Sequence, residues 1–147
     1  MLKNNSIALL IHLFIGVFMW LLSNFTTDVL MDNRIFNEGI MNVLLLFIPM
    51  LALLCYYTLG KFFLRRQSTN WKSLLSVSAV SIVGLVIWIF CAFFTSGGWA
   101  WIAYVVYNAS FYFLMNLFPP ANEWWIIVIP LLPTIMFWLA IKDKKKQ

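Results

Sequence analysis

Three apolar runs, residues 7–25, 40–59 and 74–94, leave this chain few ways to fold. Each meets the requirement of about 20 predominantly apolar residues for a membrane span. A fourth run, 124–141, is nearly as long and ends abruptly at "KDKKK". The bilayer core offers no water to satisfy backbone N–H and C=O groups, so such runs must be helices or the strands of a closed barrel. Barrel strands alternate polar and apolar residues, and these runs do not. The chain is 63% hydrophobic and 10% charged, whereas a soluble domain is roughly half apolar and a quarter charged. The expectation is one all-α transmembrane domain over residues 1–147, a four-helix bundle.

Residues 99–122 are the ambiguous part. They are apolar enough to span, yet Asn108, Asn116 and the Pro119-Pro120 pair interrupt them. Basic residues discriminate between the two topologies, because cytoplasmic loops are enriched in Lys and Arg. If the stretch does not span, Lys3, the connection holding Lys61, Arg65, Arg66 and Lys72, and the tail 142–147 all lie inside. Nine of the ten basic side chains are then cytoplasmic and only Arg34 is outside. A fifth span would divide them equally. The rings of Trp99, Trp101, Tyr104, Tyr107 and Tyr112, followed by Trp124 and Trp125, suit the headgroup level. The reading is an interfacial or shallow re-entrant segment capping the outer end of four spans, with five spans as the alternative.

The start imitates a signal peptide, but "SNFTTD" after the apolar run has no small-x-small cleavage pattern, so an uncleaved first span is expected. No lipidation motif is present. A composition rich in Ile, Phe, Asn and Lys suggests an AT-rich genome, hence a bacterial plasma membrane with both termini cytoplasmic. The basic patches sit at the ends of apolar runs rather than on a polar face, which excludes nucleic acid as a partner. Cys55 and Cys91 lack metal or disulfide spacing. They fall near opposite ends of their spans and are expected to stay free. The sequons at Asn24 and Asn108 match the glycosylation pattern by chance.

Few residues offer chemistry. His12 is the single near-neutral titratable group within a run, and its expected role is a neutral imidazole bonded to a carbonyl or serine of a neighbouring helix. Asp28 and Asp32 would share a helix face, and Arg34 could pair with either or meet a lipid phosphate. With Glu38 the two aspartates could hold a divalent cation through oxygen ligands, but the spacing matches no calcium loop and a solvated acidic connection is expected; Glu123 is expected on the same outer side. On the third run, Ser73, Ser76, Val77, Val80, Ser81 and Gly84 share one helical face, small enough for close helix packing. Pro49, Pro130 and Pro133 each free a carbonyl about one turn earlier. No Walker loop, zinc motif, nucleophile elbow or paired-carboxylate site appears. The expected function is non-catalytic and without cofactor or metal. It is an accessory, regulatory or immunity-type subunit acting by contact with a membrane-protein partner or a second copy. A small oligomeric transporter or channel is the alternative, and a lipid-headgroup enzyme a weaker one.

Overall fold

The computed structural model describes the backbone of residues 1–32, 38–95, 98–117 and 125–144, and the side chains of 1–29, 43, 45–95, 98–115 and 126–144. Among these residues the chain is helical, with no strand. The two long elements are α1 (Leu2–Asp32) and α2 (Glu38–Phe63), of 31 and 26 residues. At 1.5 Å per residue they are about 46 and 39 Å long. Both are long and apolar enough to cross a membrane, and only 33% of the most apolar window of each is buried. A core helix of a soluble domain turns its apolar stripe inward and its polar face out. Here Phe14, Phe18, Phe47 and Leu54 face outward instead.

Shorter pieces complete the fold. They are α3 (Asn70–Leu75), α4 (Ala79–Phe94), α5 (Gly98–Tyr107), a 3-10 turn at Ala109–Phe111, α6 (Tyr112–Leu117), a second 3-10 turn at Trp125–Val128, and α7 (Leu131–Lys142). The third apolar run is therefore not one helix from residue 74. Serine hydroxyls break it, Ser76 Oγ donating to Ser73 O at 2.8 Å and Ser78 Oγ to Leu75 O at 3.1 Å. Such local bonds compete with the helix ladder. The restart is capped from a distance: the Ala79 N–H donates to Asn5 Oδ1, and Asn4 Nδ2 donates to Ser76 Oγ. An opening amide of α4, orphaned by the break, thus finds its acceptor on α1.

The fourth run also divides. Pro130 is the N-cap of α7 and Pro133 lies in its first turn, where a missing N–H costs nothing in the ladder. The carbonyl of Ile126, expected to be freed by Pro130, accepts the Tyr104 hydroxyl at 2.6 Å and the Ile129 N–H at 3.0 Å.

The described part of residues 99–122, read above as an interfacial or shallow re-entrant segment, is only partly at the surface. Trp99 is exposed, but Tyr104, Asn108, Ser110 and Phe111 are buried. Helix α5 runs back along α4. Its early turn meets the far end of α4, where Cys91 Sγ donates to Ala100 O at 3.2 Å. Its last residue meets the beginning of α4, where Tyr107 Oη donates to Val80 O at 2.7 Å. α4 and α5 thus form an antiparallel hairpin, and past the 3-10 turn α6 packs on α2. Aromatic rings suit a headgroup belt and a buried core equally, so composition could not separate the two. Residues 118–122 lie outside the described part.

Two glycines let the elements approach. A Cβ on Gly84 would sit 2.6 Å from Pro130 Cβ and 3.1 Å from Tyr107 Cε1, and one on Gly60 would sit 2.9 Å from Phe137 Cδ1. Opposite this packed middle, one end of the molecule is tied by polar contacts. Asn4 Nδ2 donates to Arg65 O at 2.7 Å, Arg66 and Lys144 bond across to the carbonyls of Lys144 and Leu64, and Tyr57 Oη donates to Asp143 at 2.9 Å. The start of α1, the connection 64–69 and the end of α7 therefore share that end. Both cysteines are free thiols.

Candidate functional site

The 3-10 turn at Ala109–Phe111 carries the densest buried polar chemistry. His12 lies three turns into α1, on the face that carries Ala8, Ile11, Ile15 and Met19 inward. Its Nδ1 is 2.8 Å from Tyr56 Oη on α2, and that hydroxyl is 2.8 Å from Ser110 Oγ in the 3-10 turn. All three side chains are at most 1% exposed. The imidazole also lies 4.6 Å, centroid to centroid, from the tilted ring of Tyr107. The chain is walled by Phe111 and Phe137, whose rings sit 6.0 and 5.3 Å from that of Tyr56.

Proton bookkeeping limits what this chain can do. The hydroxyl of Tyr56 has one proton and meets two partners, so it donates to one and accepts from the other. If it donates to Nδ1, Nε2 carries the ring proton; the ring also approaches the Tyr107 carbonyl, but Nε2 has no partner at hydrogen-bonding geometry. Asn108 beside it is buried too, its Nδ2 donating to Tyr104 O at 3.0 Å while Oδ1 has no partner. A neutral histidine, a phenol and a serine hydroxyl in series form a continuous hydrogen-bond path between α1, α2 and that 3-10 turn. The hydroxyl of Ser110 is closed off from solvent.

The residues singled out above are distributed as follows. Ser73, Ser76, Val77, Val80, Ser81 and Gly84 are all buried. Ser81 Oγ donates to Pro130 O at 2.9 Å, and the Val77 carbonyl accepts from Thr134 Oγ1 at 3.2 Å. That face is thus engaged with α5 and α7. Of the aromatic set, Tyr104 is buried, Trp101 and Tyr107 are half-buried, and Trp99 and Tyr112 are exposed. His12 Nδ1 meets a tyrosine hydroxyl, and its ring also approaches the Tyr107 carbonyl. Asp28 is exposed near the end of α1. The side chains of Asp32, Arg34, Glu38, Glu123, Trp124 and Trp125 lie outside the described residues, so the acidic outer connection has no described geometry. Among the described residues no group of three or more His, Cys, Asp or Glu could hold a metal.

Sequence reasoning did not find Tyr56 as the partner of His12, nor Ser110 as the next link beyond it. Tyr56 stands beside Tyr57, which points to Asp143 at the surface, and only the helical phase separates them. Comparison with models of known protein families, with curated proteins and with solved structures yields no match.

Proposed function

We propose that the chain is a small multi-pass protein of a bacterial plasma membrane that works by lateral contact, as an accessory, regulatory or immunity-type subunit of a larger membrane system. In this reading it crosses the bilayer four times with both termini cytoplasmic, and the segment holding α5 and α6 enters from the outer side. The exposed apolar faces of α1 and α2 support the bilayer setting. The grouping of Lys3, Lys61, Arg65, Arg66, Lys72, Lys142 and Lys144 at the tied end supports the orientation.

One observation carries the contact reading. The interior hydroxyls are consumed between helices (Tyr56 with Ser110, Tyr104 with Ile126, Tyr107 with Val80, Ser81 with Pro130), so what the protein offers outward is its lateral apolar surface. That surface is concave between α1 and α2, in a groove of about 660 Å³ lined by Leu22, Phe47, Ile48, Leu51 and Leu54. The hydroxyl of Thr26 in the groove wall turns back to Leu22 O at 2.7 Å. The groove therefore suits an apolar partner helix. A photocrosslinking residue at Met50, which also lines the groove, tests this in intact cells. One discrete protein adduct, lost on replacing Leu54 by Trp, is expected. Adducts to lipid alone, with the chain purifying by itself in mild detergent, would count against the proposal.

A second reading, a small oligomeric transporter or channel, draws on the His12–Tyr56–Ser110 path, because polar groups within a membrane mark proton or substrate routes. Proteoliposomes that pass protons, with the flux abolished by Tyr56→Phe, would favour it over the contact reading.

A further inference from the structure

The tied end of the molecule combines excess positive charge with an apolar rim. Lys3, Lys61, Arg65, Lys72 and Lys142 are exposed there. Arg65 uses only its backbone in the bonds to Asn4. Lys61 and Lys142 lie over the rings of Tyr57 and Trp138 at 5.8 and 5.4 Å. The carboxylate described at this end, Asp143, is engaged by Tyr57. Between the charges stand Phe62, Phe63 and Trp71, exposed by 80%, 60% and 70%.

Helix α3 organises this rim. Its inward side is fixed: Ser73 is buried and its Oγ accepts the Gln67 N–H at 3.2 Å, while Thr69 caps the helix by accepting from the Lys72 N–H. Its outward side presents Trp71 and Leu75 one turn apart, with Lys72 beside them, all exposed. A ring that is apolar in body and polar at one edge, next to an ammonium group, matches the boundary between headgroups and acyl chains. Buried packing on α7 holds the helix in place, so the rim is built before any lipid arrives.

We infer that this end is a binding surface for anionic phospholipid headgroups, with Lys61, Arg65 and Lys72 contacting phosphate and with Trp71 and Phe62 seated in the acyl boundary. The inference rests on the bilayer reading and deepens it by naming the lipid class. A headgroup tethered to its acyl chains satisfies the charges and the exposed rings together, which free phosphate cannot do.

The test uses the purified full chain in mild detergent, with its thermal unfolding midpoint followed as lipid is added. Phosphatidylglycerol should raise the midpoint, whereas phosphatidylcholine or inorganic phosphate at equal concentration should not. Each neutralised charge should lower phosphatidylglycerol affinity about fivefold, so Lys61→Gln/Arg65→Gln/Lys72→Gln should lose about a hundredfold. A charge-keeping Lys61→Arg/Lys72→Arg pair should retain the effect, and raising salt from about 50 to 500 mM should shrink it for the wild-type chain. The salt series decides the matter even if the triple variant does not fold. Equal shifts with both lipids, or a shift indifferent to salt, would overturn the inference. Failure of the bilayer reading looks different: the chain would then stay monodisperse with no detergent at all.

Discussion

At the scale of the residue, Tyr56 is the pivot. Its hydroxyl is the junction between an imidazole on α1 and a serine in the 3-10 turn at Ala109–Phe111, and its ring fills the space between Phe111 and Phe137. Tyr56→Phe keeps the ring and strands two buried partners, so it should cost about 1–2 kcal/mol of stability in detergent unfolding. Tyr56→Phe with Ser110→Ala should cost less than the sum of the two single changes, since the second removes a group the first has orphaned. Additive losses would show that the two hydroxyls do not interact. His12 stood out in the sequence as the lone titratable group of its run, but its partner Tyr56 is 44 positions away and carries no local mark. Asn108 teaches the converse. Its sequon is legible, yet the side chain is buried and bonded to Tyr104 O, so a glycan cannot be accommodated in the folded chain.

At the scale of the element, the informative positions are those where helices touch. The spacing of Ser73, Ser76, Val80, Ser81 and Gly84 is readable as one face, and the structure buries all of them. The identity of what covers the face was not readable, because Pro130 and Tyr107 reach Gly84 from other segments. Gly84→Ala places a methyl 2.6 Å from the ring carbon of a proline that cannot swing aside. It should destabilise the fold by about 1–3 kcal/mol by overpacking, which a shift of the unfolding midpoint would register. The control is Gly98→Ala, whose Cβ meets nothing within 4 Å. The breaks at residues 76–78 and at Pro130 were hidden for a related reason. Hydropathy runs straight through both, whereas the bonds at each break come from the run's own serines and from Asn4, Asn5 and Tyr104 of other segments.

At the scale of the whole molecule, charge placement and hydrogen bonding converge on one end. Side chains of residues 4, 57, 66, 76, 143 and 144 make bonds there, so the start of α1 and the end of α7 lie at the same end of the molecule. A single thiol tests on cells which side that end faces. In a Cys55→Ser, Cys91→Ser background, Gln147→Cys should react with an impermeant maleimide only after lysis. Labelling of intact cells would place the tail outside and refute the four-span topology. The close approach at Gly60 and Gly84 also sets an order of events. The wall that fits against both glycines, Pro130 and α7, is synthesised about 70 residues after Gly60, a delay of roughly 4 to 14 seconds at ordinary ribosome speeds. Until Pro130 is made, the Ser81 hydroxyl lacks its acceptor and the seam beside Gly84 stays open. The seam against α7 is therefore the last part of the fold to close, and a variant that loses Pro130 and α7 should leave the faces of both glycines without that wall.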